Sequence, residues 1–171
     1  MSSQTVSIAP RFRGPARSGN GGYVCGLMGG KLGDKLSGTA SVRLFAPPPL
    51  EAGLTLLTEA DSVKLLNGEV LIGEARSATL DLTPPPAPTL AEATAAAKQY
   101  PGFNYHPFPG CFVCGPQRDE GDGLHLFTGP LGNADPANKT GIVASPWHVH
   151  PSLVVDGKIP AEILWAALDC P

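Results

Sequence analysis

The chain has 171 residues, a formal net charge of −3 and a 42% hydrophobic content, enough apolar material for a packed core in one domain or two small units. The mild negative charge provides no basic field for nucleic acid or anionic lipid, and no apolar run reaches the ~20 residues of a membrane span. Four cysteines do not make a disulfide framework, and Met1–Pro10 has neither a basic n-region nor an apolar h-region, so the expectation is a cytoplasmic protein with free thiols.

Strand-like alternation opens with Val6, Ile8 and Phe12. A glycine-rich segment follows, with seven glycines between Gly19 and Gly33. Val24, Leu27, Met28 and Leu32 keep the spacing of a helical apolar stripe, and Ser18 or Asn20 is placed to cap the first turn. The spacing predicts a buried helix from about Gly21 to Lys35. Each interior glycine costs about 1 kcal/mol relative to Ala, so this number of them implies close approach of backbone to backbone or to a ligand. The amides of Gly21 and Gly22, with no side chain above them, form a site for a carbonyl oxygen, an oxyanion or a phosphate. No Lys-Ser or Lys-Thr follows, which argues against a nucleotide phosphate loop.

Ala40–Phe45 reads as the next strand, closed by Pro47-Pro48-Pro49. Leu54–Glu59, Val63–Leu66 and Val70–Leu82 follow, the last two joined through the turn dipeptide Asn67-Gly68. Thr83–Pro88 is a stiff extended linker. Thr89-Leu-Ala-Glu92 has capping-box spacing and opens an alanine-rich helix to about Gln99. Beyond a proline- and aromatic-rich loop, Leu126-Phe127-Thr128-Gly129-Pro130 echoes Arg11–Pro15. A strand at Gly141–Ser145, a turn at Asp156-Gly157 and a helix from Pro160 to Asp169 then suggest a second unit. Residues 1–82, 83–110 and 111–171 are read as a first unit, a linker with connecting helix, and a partial second unit.

Phe12-Arg13-Gly14-Pro15, the Gly21-Gly22 helix opening and the alternating strands together resemble the hotdog-fold superfamily of acyl-CoA thioesterases and dehydratases. The resemblance implies an α+β fold in which a curved antiparallel sheet wraps a central helix, here in a double-hotdog plan whose second repeat stops short. It implies acyl-CoA thioester hydrolysis with substrate between the two central helices and no cofactor beyond acyl-CoA as substrate. Gly22 N–H would polarise the thioester carbonyl. Asn20, standing where the superfamily often has His before Gly-Gly, would orient substrate or water, and Asp169 would act as base. Gly21 and Tyr23 would contact substrate, and Arg17 and Arg118 would meet phosphate. The apolar helix with Ile163, Leu164, Trp165 and Leu168 needs covering neighbours, which points to a homo-oligomer.

Two other readings remain beside hydrolysis. One is a non-catalytic acyl-CoA-binding module. The other is a zinc-stabilised interaction domain, since Cys111-Phe-Val-Cys114 has the spacing of half a zinc knuckle, and His106, His125, His148 and His150 are available to complete it. His148-Val-His150 places both imidazoles on one face if this segment is a strand. No second CxxC or HxxxH pair is present, so the thiols are read as free and no metal is assigned.

Overall fold

A computed structural model describes residues 1–33, 39–132 and 141–170. The glycine-rich segment forms helix α1 (Gly21–Gly33); its predicted extension to Lys35 lies outside the described residues. Five strands form one antiparallel sheet: β1 (Ser2–Val6), β2 (Thr39–Leu44), β3 (Leu54–Thr58), β4 (Ser62–Asn67) and β5 (Val70–Ala78), in the order β1-β3-β4-β5-β2. Alternation sets which face is covered. In β3, Leu54, Leu56 and Thr58 are buried while Thr55 is exposed, the period-2 pattern of a sheet with one face on a core. The β4–β5 hairpin pairs Asn67 with Val70, and Gly68 takes the positive φ of 59° that a tight two-residue turn requires at its first position.

Val24, Met28 and Leu32 recur every fourth residue along α1 and share the core with Leu54, Leu56, Val63, Leu65, Ile72 and Ala75 of the sheet. Gly73 makes one contact possible. A Cβ there would lie 2.9 Å from Met28 Cε and 2.8 Å from Leu44 Cδ2, so a side chain at this position would displace both from the sheet surface.

Helix α2 (Leu90–Ala97) begins with the predicted capping box: Thr89 Oγ1 accepts from Glu92 N, and the Glu92 carboxylate accepts from Thr89 N. It packs on a two-stranded ladder, β6 (Gly129–Pro130) with β7 (Val143–Ala144), through Ala93, Ala96 and Ala144. The strand expected at Gly141–Ser145 is thus two residues long, and no strand forms at His148–His150. Pro146 and Pro151 bracket that segment and cannot donate to a ladder; His150 instead accepts from Ser152 N at the start of a single 3-10 turn.

The last element is helix α3 (Ala161–Ala167). Phe112, Val113, Leu124, Leu126, Leu153, Ile163 and Ala166 join the same core cluster as the first sheet. No helix among the described residues is long and apolar enough to cross a membrane.

Candidate functional site

The glycines of α1 meet α3. Cβ atoms built at Gly22 would fall 2.5 Å from Asp169 Cβ and 2.6 Å from the Trp165 carbonyl oxygen, at Gly29 2.7 Å from the Trp165 ring, and at Gly30 3.0 Å from Ala161 Cβ; at Gly26 a Cβ would strike the Glu162 backbone. Higher-numbered glycines meet lower-numbered residues of α3, so the helices run antiparallel and touch backbone to backbone. This closeness fills the space between them along the glycine face. Among the described residues the substrate gap expected there does not form, and an open groove lies beside the end of α3, at Ala167, Leu168 and Cys170.

The antiparallel arrangement brings the end of α3 to the start of α1. Asn20 is 2% exposed. Its Oδ1 accepts from Tyr23 N at 2.9 Å, a helix cap worth about 1 kcal/mol. With the oxygen so engaged, the amide nitrogen points the other way, and Asn20 Nδ2 donates to Asp169 Oδ2 at 3.1 Å. Backbone bonds hold Asn20 in place: its N–H donates to Phe12 O at 2.8 Å, and Gly19 N–H to Pro48 O at 2.9 Å. Asp169 itself is exposed. Its Oδ2 lies 3.3 Å from the Cβ position of Gly21, so the carboxylate rests against the first turn of α1, where the helix dipole favours negative charge. The nearby Cys25 thiol is pushed up to about 11, by burial first and by the Asp169 charge second.

Asn20, Gly21, Gly22 and Asp169 therefore form one group. The other candidates lie apart. Tyr23 is buried in an aromatic cluster, stacked on Phe12 at 4.1 Å and edge-on to Phe112; burial, then the Glu162 charge, pushes its hydroxyl up to about 12. Arg17 is exposed. Arg118, expected at the surface as a phosphate partner, is buried: Nε donates to Gly110 O at 2.9 Å and Nη1 pairs with Asp122 at 2.7 Å. Those bonds hold the 110–122 loop, while the buried Nη2 has no hydrogen-bond partner among the described residues.

A second cluster adjoins the first. The Sγ atoms of Cys111, Cys114 and Cys170 all lie within 4.8 Å of one another, and Asn20 Nδ2 is 3.9 Å from Cys170 Sγ. Hydrogen bonds from the Cys114 and Cys170 thiols, and then from the Cys114 and Val113 amides, pull the Cys111 thiol well below the usual range against the cost of burial. Sharing with Cys111 pushes the other two up. His106 Nε2 lies 3.3 Å from Cys114 Sγ. His125, His148 and His150 are not part of this cluster. They line a separate groove of about 460 Å³ with Glu120. Cys170 was the residue that spacing alone did not single out.

Beside Cys170 lies an open groove of about 390 Å³, lined mainly by apolar groups including Leu126, Ile142, Val143, Ala167 and Leu168.

No family model matches this sequence, and comparison with curated proteins and with solved structures finds no significant match. The geometry alone carries the functional argument.

Proposed function

We propose that this chain is a hotdog-type protein that hydrolyses acyl-CoA thioesters at the junction of α1 and α3. The observation that carries the reading is the Asn20 Nδ2 to Asp169 Oδ2 bond of 3.1 Å at the start of α1. An exposed carboxylate beside a helix N-terminus is a group able to take a proton from water next to a donor able to hold a developing oxyanion. In the proposed reaction Asp169 removes a proton from water as the water oxygen attacks the thioester carbonyl carbon. The amide of half-buried Gly21, which helical geometry leaves without an intrahelical acceptor, receives the carbonyl oxygen; Gly22, the other expected donor, is buried against α3. Collapse of the intermediate expels CoA thiolate, which takes the proton back from Asp169.

The acyl chain is assigned to the groove lined by Leu126, Ile142, Val143, Ala167 and Leu168, since pockets for such chains are mostly apolar with a few polar groups at one end. The antiparallel sheet covered by a glycine-rich helix supports the hotdog plan. Association of two chains belongs to the same proposal: Leu164 on α3 and Leu168, which caps its end, are 44% and 84% exposed. A cytoplasmic location is also proposed, consistent with four free thiols.

The deciding experiment is a hydrolysis panel of acyl-CoA esters of graded length on the wild type and on Asp169→Asn. Hydrolysis by the wild type, lost in the variant while acyl-CoA binding persists, is the expected result. Binding without turnover in the wild type would leave the acyl-CoA-binding module as the correct reading.

A further inference from the structure

We propose that Cys111, Cys114 and Cys170 bind one thiophilic divalent cation of the zinc class, tying the end of α3 to the Cys111–Gly115 loop. Two features of geometry carry this. First, Cys111 Sγ and Cys170 Sγ are 3.9 Å apart, whereas two thiolates on a tetrahedral zinc at ~2.3 Å stand about 3.8 Å apart. That pair is already at ligand spacing, and Cys114 Sγ lies within 4.8 Å of both.

Second, each sulfur has its own N–H donor. The amides of Val113 and Cys114 hydrogen-bond to Cys111, His106 Nε2 faces Cys114 at 3.3 Å, and Asn20 Nδ2 faces Cys170 at 3.9 Å. Three thiolates on one dication leave a net negative charge, and such donors are the outer partners that orient and stabilise metal-bound thiolates. The tautomer of His106 agrees: its Nδ1 accepts from Phe108 N at 2.9 Å, so the neutral ring carries its proton on Nε2 and donates it toward Cys114. His106 is thus a supporting donor, and the chain supplies three ligands. Cys170 also lines the groove of about 390 Å³, so solvent reaches the cluster and can complete the coordination.

The loop is built to hold this shape. Gly115 N–H donates to Cys111 O at 3.0 Å, and a Cβ on Gly115 would lie 2.5 Å from Cys111 N, Cys111 O and Pro109 O. Only glycine permits a turn so tight that both cysteines point inward together. Tyr100, whose hydroxyl donates to Cys114 O at 3.1 Å, braces it from outside.

The proposal does not depend on the hydrolase reading, since it makes no use of turnover. Its test begins with full-length reduced protein, stripped by chelator and titrated with Zn²⁺ or Co²⁺. Binding converts thiols to thiolates, so the expected result is one ion per chain, protons released to a weakly buffered solution, and cobalt–thiolate charge-transfer bands. Cys170→Ser should lose stoichiometric binding, and His106→Ala should bind one ion about 10–100-fold more weakly. Because a cysteine variant can fail by misfolding, circular dichroism of each variant is compared with that of the stripped wild type. A folded wild type that binds no ion, or a folded Cys170→Ser that binds as tightly as wild type, would overturn the proposal.

Discussion

Asn20 and Asp169 are 149 positions apart in sequence and joined by a 3.1 Å hydrogen bond, while the same Asn20 side chain caps α1 through Tyr23 N. One amide group thus performs two tasks with its two ends. Replacing it by alanine removes both, and replacing it by aspartate removes one.

Asn20→Asp is therefore the sharper probe. The cap survives because a carboxylate accepts from Tyr23 N as well as an amide does. The donor to Asp169 is lost, and a second negative charge faces its carboxylate instead. Turnover is expected to fall while the folded stability stays near that of wild type. Asp169→Asn should lower kcat about 10²–10⁴-fold. Steady-state kinetics beside denaturant melts of both variants check this, and an unchanged kcat in Asn20→Asp would remove Asn20 from the positioning of Asp169.

The glycine face predicts opposite effects of one substitution at two positions. Gly26→Ala drives a Cβ into the Glu162 backbone, whereas among the described residues nothing lies within 4 Å of a Cβ at Gly33. Overpacking costs about 1–3 kcal/mol, and Gly33→Ala is expected to stabilise by about 0.4–1 kcal/mol by restricting the unfolded chain. Denaturant melts of the two variants should move in opposite directions. Gly22→Val is a poor probe of the oxyanion amide, since α3 covers that position and the variant disturbs packing together with chemistry.

Burial of Tyr23 predicts an alkaline weakness. Its pKa is raised from 10.0 to about 12, so between these values the folded state holds a proton that the unfolded state releases. The unfolded state then binds fewer protons, and stability falls as pH rises through this window. Below pH 10 the contribution is complete. Tyr23→Phe is expected to flatten the alkaline fall, read as the slope of melting temperature against pH.

Self-association through α3 predicts that Leu164→Glu with Leu168→Glu yields a smaller species than wild type in light scattering. Charges at both exposed positions would face each other across a paired interface. A wild type already monomeric at high concentration would remove association from the proposal.

Much of the fold was legible because local chemistry decided it. The Thr89–Glu92 capping box and the glycine of the β4–β5 turn each carry their own signal within a few residues, whereas the strand expected over Val70–Leu82 ends at Ala78 and leaves Leu80 and Leu82 exposed. Asn20 and Asp169 could be named, but their meeting depends on antiparallel helix packing that no local pattern encodes. Cys170 was missed for the same reason: a single cysteine carries no spacing, and only the docking of α3 delivers it to Cys111 and Cys114. Arg118 misled because long charged side chains are mostly exposed, while the carbonyl of Gly110 and the carboxylate of Asp122 rewarded its burial. His148 and His150 looked like a strand pair until their flanking prolines are weighed.

The stripe of glycines acts as a ruler. Trp165 fits over Gly29 and Glu162 over Gly26, so α3 has one seating along α1; sliding by a turn would carry every residue about 5.4 Å and set bulk where no bulk fits. Asp169 would leave Asn20, and Cys170 would leave Cys111, in the same movement. The placement of both reactive groups is therefore written in residues that touch neither, and a drift at Gly29 would be felt as a change of chemistry two turns away.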